Sequence, residues 1–483
     1  MTTNPYTVPP GLMGEIAQFI YSAAPRPVPE IALAGAIGLM AGICGRAFNV
    51  SGTGLNLYVM LLASTGTGKE GCASGIDKIM NAIRTEVPSS EKFIGPASIA
   101  SGPALLKYIA NTSQCFVSVI GEVGLLLQQL ASPRAPAHQV ELKKVILDLY
   151  MKSGAGSVLR PSIYSEREKS TSAVSSPAVT LLGESTPESF YGGLNEQAVK
   201  DGLLPRFLLI EYDGPAVPLN KMQAEPSRQL LEGVKALAAH AYRIMHQEGV
   251  VNVVPDEAAS KILDEFERQC LERRNAGDAT EVTRHLWNRA HMKVLRLSAL
   301  VAVGVGIYAP HNAFIVITPE HAMWAIRIEE ANVRKLLSRF ENGEVGDQTD
   351  DGARVNKLRD LINKYFERSS SEFVGSLEGL KEMRERGVVP ERYLFQRTAN
   401  LSAFKNARHG SKLALKNAIE QLINFGEIVR VSNKDIPQMT NSHAALYMLA
   451  EESTVANGKL KAKALQQRAF KQLFDGAPPG EDV

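Results

Sequence analysis

The sequence predicts an α/β fold in which a mostly parallel sheet is flanked by helices and followed by a small C-terminal domain. Between Leu57 and Tyr212, short apolar runs rich in β-forming residues alternate with helical stretches, which is typical of parallel strands joined by helices. From Ser227 to Phe340 the apolar spacing is helical, apart from a short run at 314–317. The acidic stretch 341–352 lacks periodicity and predicts a linker.

These changes of pattern divide the chain into six segments. They are a helical N-terminal segment (1–50), the α/β core (51–225), a helical segment packed on the core (226–340), the linker (341–352), a winged-helix-like domain (353–450), and a basic helix with a flexible tail (451–483). A chain of 483 residues is long enough for several domains of this kind.

The composition is that of an ordinary globular protein. Hydrophobic residues make up 45% and charged residues 22% of the chain, which excludes the disordered and fibrous classes. The net charge is only +2, so any contact with nucleic acid must come from local clusters. The four cysteines lie far apart and form no zinc or disulfide pattern. The start of the chain lacks a signal-peptide pattern, and the apolar run Ile31–Cys44 is too short to span a bilayer. We therefore expect a cytoplasmic protein without a membrane partner.

The N-terminal segment is predicted to form two helices. Its helical pattern runs from Gly11 to Phe48 and is interrupted by prolines at positions 25, 27 and 29. The second helix is rich in Gly, Ala and larger apolar residues, so we expect it to be tightly packed in the core.

The first predicted strand, Leu57–Ala63, leads into a candidate phosphate-binding loop. The loop contains Thr65, Gly66, Thr67, Gly68 and Lys69, and a helical segment follows it, which is the strand–loop–helix context of a P-loop. The glycines allow backbone N–H groups to point at phosphate oxygens, the helix N-terminus adds a positive dipole, and the lysine reaches the outer phosphates. The alternative is a Gly-rich turn that binds nothing.

The loop departs from the usual pattern at two positions. Ala63 replaces the first glycine, which is a mild change. Glu70 replaces the Ser or Thr whose hydroxyl normally holds Mg²⁺, so we expect a carboxylate there to hold the metal through water or the metal to be held from elsewhere.

The second predicted strand, Cys115–Ile120, ends in Gly121-Glu122. A carboxylate at such a strand end polarises the attacking water in P-loop ATPases, so Glu122 is the candidate general base and a second candidate metal ligand. The alternative is a surface glutamate at a strand end. Asp148 is a further possible metal partner, although its surroundings have the pattern of an amphipathic helix.

Two more strands complete the predicted sheet. Ala178–Leu182 is followed by Ser185 and Thr186, either of which is a candidate sensor of the terminal phosphate, with helix capping before Pro187 as the alternative. Arg206 directly precedes the strand Phe207–Tyr212 and is a candidate arginine finger for a neighbouring subunit's nucleotide. A salt-bridged arginine at the edge of the core is its alternative.

Four features follow one another along the chain: the loop at 66–70, the strand end Gly121-Glu122, the strand end Ser185-Thr186-Pro187 and the segment 201–207. In this order they resemble the RecA-like ATPases of phages and prophages described as replicative or primase-associated helicases. The resemblance covers roughly residues 10–340. The Lys-Glu ending of the loop is common in that family, whereas Gly121 replaces a more usual Asp.

The resemblance implies a RecA-like P-loop ATPase core that uses ATP and Mg²⁺ to unwind DNA. It further implies a homo-oligomeric ring, expected to be a hexamer, with single-stranded DNA in its central channel and a primase or polymerase as partner. A phage-encoded protein of this kind would act in the cytoplasm of its bacterial host.

Three segments are candidates for binding DNA. The polar segment 154–177 contains Arg160, Arg167 and Lys169 and is a candidate channel loop or, alternatively, a surface hairpin. The segment 408–431 predicts a helix, a turn and a short strand, as in a winged helix that can also meet duplex DNA. Its candidate phosphate contacts are Lys405, Arg408, Lys412 and Lys416. The third, a basic run at 459–471, is expected to bind nucleic acid or protein, or to be a solvated tail.

The sequence leaves a second function open. A nucleotide-regulated replication initiator or helicase loader that hydrolyses slowly is favoured by the missing loop hydroxyl and the missing Asp. A P-loop kinase of small molecules is disfavoured by the basic C-terminal module.

Overall fold

The computed structural model describes residues 5–131, 135–161, 171–194, 199, 201–308, 315–341, 350–369, 372, 380–405, 407, 410–424, 427–431 and 445–449. The chain forms two compact units, Met1–Glu341 and Asn342–Val483. In the described residues no helix is long and apolar enough to cross a membrane.

A four-stranded parallel sheet forms the centre of the first unit. Its strands are β3 (Tyr58–Ala63), β4 (Cys115–Ile120), β7 (Ala178–Ser185) and β8 (Phe207–Tyr212). Their order is β4-β7-β3-β8, and every neighbouring pair is parallel. All four strands therefore end at the same side of the sheet, here called the carboxyl edge, and begin at the opposite amino edge.

Helices cover this sheet and fill the rest of the first unit. They are α1 (Gly11–Ala23), α2 (Pro29–Cys44), α3 (Glu70–Ile83), α4 (Gly102–Asn111), α5 (Val123–Ala131), α6 (Ala137–Leu149), α7 (Pro187–Gly193), α8 (Arg228–His246), α9 (Glu257–Asn275), α10 (Glu281–Gly306) and α11 (Pro319–Glu341). Short strands form three smaller sheets: β1 (Phe48–Val50) with β2 (Thr53–Gly54) and β9 (Val251–Asn252), β5 (Val158–Leu159) with β6 (Val174–Ser175), and β10 (Val254–Pro255) with β11 (Val316–Ile317).

Helix α2 packs directly on the sheet, as its composition predicts. Every residue from Ile31 to Cys44 is buried. Two of its glycines lie at the contact, because an added Cβ would come within 2.8 Å of Leu182 at Gly38 and within 2.7 Å of Val117 at Gly42. The small residues therefore allow the helix backbone to approach the strands closely, and α2 is a core helix.

The outer edge of β8 is held by a buried polar network from α10 and α11. Lys293 Nζ donates to the Phe207 carbonyl at 3.1 Å and lies 2.8 Å from Glu329 Oε1. Asn332 accepts a hydrogen bond from the Leu209 N–H at 2.9 Å and donates one to Glu329 at 3.0 Å. These groups satisfy strand atoms that would otherwise be unpaired in the core, so the two helices fix the position of β8.

The second unit has the strand order of a winged helix. Its elements are α12 (Asp350–Glu367), α13 (Lys381–Glu385), β12 (Val388–Pro390), α14 (Glu391–Thr398), α15 (Ser402–Lys405), α16 (Ser411–Asn424), β13 (Ile428–Val431) and β14 (Leu446–Leu449). The three strands pair antiparallel in the order β12-β14-β13. Leu358, Ile362, Leu415 and Leu422 belong to a core that the helices share with Ile428 of the sheet.

The α/β fold class and the parallel sheet are confirmed. Three of the four strands match their predicted bounds to within one residue, whereas β7 continues to Ser185, three residues beyond its predicted end at Leu182. The break at the prolines between α1 and α2 is also present. Helix α12 begins at Asp350 and so includes the last three residues of the predicted linker. Residues 342–349 and the predicted basic helix in 451–483 lie outside the described residues.

Candidate nucleotide-binding site

The loop 64–69 after β3, here called the cradle, has the backbone curl that its predicted role as a phosphate-binding loop requires. It begins at the carboxyl edge of the sheet, directly after Ala63. Gly66 and Gly68 have φ values of 80° and 96°, a left-handed region that side chains disfavour. The Thr67 hydroxyl donates to the Ser64 carbonyl at 2.6 Å, so the cradle is held by its own hydrogen bonds.

Arg26, between α1 and α2, supports the cradle from outside. A Cβ added at Gly68 would lie 2.7 Å from the Arg26 Cβ and 2.9 Å from its carbonyl oxygen. Arg26 is in turn anchored by a hydrogen bond to the Val217 carbonyl at 2.5 Å. Glycine at position 68 is therefore required both by its backbone conformation and by the close approach of Arg26.

Helix α3 begins at Glu70 and directs its N-terminus at the cradle. The N–H of Gly71 donates to the Gly68 carbonyl and that of Cys72 to the Lys69 carbonyl, both at 3.0 Å. Lys69 is half-buried and Glu70 is exposed. Thr65 and Gly66 are exposed at the tip of the loop, whereas Thr67 and Gly68 are buried. This arrangement places the N-terminus of a helix, a lysine and a carboxylate next to one another at the loop.

Glu122 lies in a tight turn between β4 and α5. It is exposed and has a φ of 50°, an uncommon conformation for a residue with a side chain. The turn is held by close packing at the start of α5: an added Cβ at Gly183 would lie 2.4 Å from Val123, and one at Gly124 would lie 2.3 Å from Ser185 Oγ. The strained turn brings Glu122 to the carboxyl edge beside the end of β7, as its predicted role requires.

Glu184, which sequence reasoning missed, also points at this edge. It pairs in register with Leu61 of β3, and its Oε1 is buried without a hydrogen-bond partner among the described residues. Burial raises the pKa of its carboxyl to about 7, the charge of Lys69 acts to lower it, and the charges of Glu70 and Glu122 act to raise it. The side chain is therefore within electrostatic range of three predicted site residues.

The two predicted phosphate sensors have other contacts. Thr186 is the N-cap of α7, and its hydroxyl accepts a hydrogen bond from the Ser189 N–H at 3.2 Å. Ser185 is fully buried beside Gly124, with its hydroxyl 3.3 Å from the Thr186 carbonyl. The capping role left open for Thr186 is thus observed, and a sensor role for either residue stays a prediction.

Arg206 lies just before β8 at the amino edge of the sheet, opposite the carboxyl edge where the cradle begins. Strand β3 separates the two edges over six residues, which is roughly 20 Å at about 3.3 Å per residue. Arg206 Nη1 donates to the Gly202 carbonyl. Burial, and next the charge of Arg289, lower the pKa of Arg206. Within the described residues no carboxylate pairs with it, so the predicted salt-bridge alternative is not observed there.

The first predicted DNA-binding segment is a hairpin at its base. Strands β5 and β6 pair antiparallel, and Arg160 is exposed directly after β5. Arg167 and Lys169 lie outside the described residues. The hairpin alternative therefore describes the base of this segment, while its contact with DNA stays a prediction.

In the second unit, α16 presents a basic outer face. Lys412 and Lys416, one helical turn apart, are exposed, while Ala414, Leu415 and Ala418 are buried on the opposite face. Lys405 is exposed at the end of α15, and Arg408 lies outside the described residues.

The residues around the cradle suit a magnesium ion held mainly by nucleotide oxygens. Within the described part of the chain, no three acidic, histidine or cysteine side chains are close enough to hold a metal ion alone. Mg²⁺ prefers oxygen ligands and usually keeps several waters while binding one or two carboxylates and substrate phosphates. Glu70, Glu122 and Glu184 offer such carboxylates, and Asp148 does not, since it pairs with Lys152 at the far end of α6.

Comparison with known proteins yields no family for this chain. No family model and no curated protein matches it. Similar solved structures include the Aeropyrum pernix ORC1 protein in complex with DNA, with 14% identity, 95% of this chain and 97% of that chain covered, and a TM-score of 0.23. The Aeropyrum pernix ORC2 protein in ADPNP–ADP complexes has 12% identity, 88% and 90% coverage, and a TM-score of 0.23. Similarity this low supports no inference about fold or function, and the resemblance to phage helicases stays a prediction.

Proposed function

We propose that this chain binds and hydrolyses ATP and acts on DNA. The observation that carries the proposal is the cradle at the carboxyl edge, in which Gly66 and Gly68 curl the backbone directly after the central strand β3. Backbone N–H groups, the N-terminus of α3 and Lys69 would bind the phosphates of the nucleotide. Glu70 and Glu122, with Glu184, would hold Mg²⁺ through water, and the ion would neutralise charge on the phosphates.

Two carboxylates compete for the role of general base. Glu122 follows β4, as in P-loop ATPases, and its left-handed backbone holds it at the edge. Glu184 lies one strand closer to the P-loop strand and has an unpartnered buried oxygen. We assign the base to Glu122, because it is exposed to the water that must be activated, and treat Glu184 as the second candidate.

Arg206 would act on the nucleotide of a neighbouring copy. Its position at the amino edge excludes contact with its own P-loop, because the sheet lies between them. A head-to-tail assembly would bring the amino edge of one copy to the carboxyl edge of the next, and such interfaces form a ring when the rotation between copies closes. A hexameric ring of this kind is the assembly that we propose.

DNA would be bound at two places. The hairpin of β5 and β6 carries Arg160 and suits a channel loop that follows single-stranded DNA. The basic outer face of α16, with Lys412 and Lys416, suits the phosphates of duplex DNA. A primase or polymerase partner would be recruited in the replicative setting that the sequence resemblance implies.

Two modes of action fit these sites, and a different observation favours each. The placement of Arg206 across the sheet from the P-loop favours a ring-shaped DNA helicase, in which each hydrolysis step involves two copies. The absence of the loop hydroxyl and of an Asp before Glu122 favours a nucleotide-regulated initiator or loader, which needs slow hydrolysis only.

The two modes are separated by one experiment on forked DNA. The purified protein is incubated with ATP and a fork that carries a fluorescent strand, and ATP hydrolysis and strand release are followed together. We expect DNA to stimulate hydrolysis in both modes. Release of the strand supports the helicase, whereas tight ATP-dependent binding without release supports the initiator. Hydrolysis that does not respond to DNA, together with no DNA binding, would contradict both.

A further inference from the structure

Two arginines lie against the ring of Tyr150 at the amino edge of the sheet, and the charge of a third, Arg289, acts on both. The Arg206 guanidinium lies 5.8 Å and the Arg296 guanidinium 4.5 Å from the ring centroid. Arg289 lies seven residues before Arg296 on α10, and therefore on the same face of that helix. Three positive charges thus share one small region.

None of the three guanidinium groups forms an ion pair with a carboxylate in the described part of the protein. Burial lowers the pKa of Arg206 and of Arg296, and the charge of Arg289 lowers both further. The polar contacts of the three guanidinium groups go to backbone carbonyls, a threonine hydroxyl and a thioether, with no carboxylate among the described residues. Like charges held together without an anion disfavour their own charged state, so the region is poised to bind an anion.

Only two of the three arginines remain open to a ligand. Arg296 is fully buried, and it donates to the Asn56 carbonyl at 2.7 Å, to Thr53 Oγ1 at 2.7 Å and to the Tyr150 carbonyl at 3.0 Å. It is therefore a structural residue that joins α10 to the segments around β2 and α6.

Arg206 and Arg289 are both half-buried and have donors left over. The buried Nε of Arg206 lacks a partner among the described residues. Arg289 Nη1 contacts the sulfur of Met151 at 3.8 Å, and a thioether is only a weak acceptor. Guanidinium groups with free donors are well suited to phosphate oxygens, which they bind in a forked geometry.

We infer, on the basis of the ATPase activity proposed above, that Arg206 and Arg289 together form the phosphate site that one copy presents to the nucleotide of the next. The ligand is the terminal phosphate of a nucleoside triphosphate held in the neighbour's cradle. Neither arginine forms a bond with it. Both stabilise the negative charge that develops on the phosphoryl group while water attacks and the bond to the leaving diphosphate breaks. Arg289, which lies 83 positions beyond Arg206 in the sequence, thereby becomes a second arginine finger.

The test uses full-length variants of Arg289 with a control on the same helix. Arg289→Ala removes the guanidinium, and Arg289→Lys keeps the charge without the forked donors. Arg284→Ala is the matched control, because Arg284 is exposed on α10 five residues before Arg289 and therefore on a different face of the helix. Binding of a fluorescent ATP analogue and the rate of ATP hydrolysis are measured for each. We expect both Arg289 variants to bind the analogue like the unmodified protein. Arg289→Ala should hydrolyse ATP about 10²-fold more slowly than the unmodified protein. This loss is smaller than the roughly 10³ to 10⁵ typical of a sole arginine finger, because Arg206 remains. The hydrolysis rate of Arg289→Lys should lie between those of Arg289→Ala and the unmodified protein, and the rate of Arg284→Ala should equal that of the unmodified protein.

Mixed assemblies decide whether Arg289 acts between copies. Arg289→Ala and Lys69→Ala subunits are co-expressed with different tags, and assemblies that contain both are isolated. The Lys69→Ala subunit still supplies Arg289 to its neighbour, so part of the lost hydrolysis should return. Mixed assemblies that stay inactive would overturn the inference, as would an Arg289→Ala protein with normal hydrolysis.

Two further outcomes have separate meanings. If Arg289→Ala hydrolyses normally without DNA but loses DNA affinity, with a shallower dependence on salt, the arginines serve nucleic-acid phosphates and the inference is wrong. If the unmodified protein binds no ATP analogue, or if Lys69→Ala binds and hydrolyses normally, the proposed ATPase function itself fails.

Discussion

Glu184 of β7 pairs directly with Leu61 of β3, the strand that leads into the P-loop. This register places its carboxylate at the carboxyl edge, within electrostatic range of Lys69, Glu70 and Glu122. Two strand ends therefore deliver carboxylates to the cradle, Glu122 from β4 and Glu184 from β7.

Replacing Glu122 by Gln should leave ATP binding intact and slow turnover by about 10² to 10⁴, the usual contribution of a positioned general base. Steady-state hydrolysis and binding of a fluorescent ATP analogue measure the two effects. Glu188→Gln, an exposed residue in the first turn of α7, is the matched control. If turnover by Glu122→Gln stays near normal while Glu184→Gln abolishes it, the base is Glu184 and our assignment is wrong.

Replacing Glu184 by Gln should stabilise the protein at alkaline pH. The folded pKa of about 7 exceeds the ordinary value of 4.5, so the folded state holds this proton more tightly than the unfolded state does. The free energy of unfolding therefore falls as pH rises from about 4.5 to about 7 and levels off above that. We expect Glu184→Gln to be more stable by about 1 to 3 kcal/mol at pH 8, from 1.36 kcal/mol per pKa unit. Chemical denaturation at pH 5 and pH 8 measures this. A difference that does not change with pH would contradict it.

Replacing Lys293 by Met should strongly destabilise the first unit. Lys293 and Glu329 form an ion pair in which both side chains are fully buried, and removing one partner leaves a buried charge, at a cost of about 3 to 5 kcal/mol. Lys261→Met is the control, because Lys261 pairs with Glu257 on the surface, where such pairs contribute roughly 0 to 1 kcal/mol. Denaturant unfolding compares the variants. Equal losses of stability would show that the buried pair does not hold β8 in place.

The sequence was sufficient to predict the strands of the sheet but not to predict which charged side chains lie near one another around it. The four main strands were predicted because each is a compact apolar run next to a turn or helix signal. Glu184 was missed because the strand was predicted to end at Leu182, whereas β7 continues to Ser185 and includes it. The sequence does not tell which of Glu184 and Ser185 faces the P-loop until β7 is known to lie beside β3. Arg289 was missed because it lies inside a regular helical pattern, and only the packing of α10 brings it near Arg206.

Replacing Lys412 and Lys416 together by Ala should weaken DNA binding mainly at low salt. Each phosphate contact releases counterions, so the slope of log affinity against log salt should fall by about 1 for each lysine lost. Lys364→Ala, an exposed lysine on α12 of the same unit, is the matched control. Fluorescence anisotropy with labelled duplex at several salt concentrations gives the slopes. An unchanged slope would show that α16 does not contact DNA phosphates.

The most direct test of the nucleotide site is ATP hydrolysis by the Lys69→Ala protein. The substitution removes the charge aimed at the phosphates and little core volume, so circular dichroism and thermal unfolding should remain those of the unmodified protein. Lys78→Ala, on the same helix α3 but two turns beyond the cradle, is measured beside it. The account predicts normal hydrolysis by Lys78→Ala and none above background by Lys69→Ala. Full hydrolysis by a folded Lys69→Ala protein would contradict it.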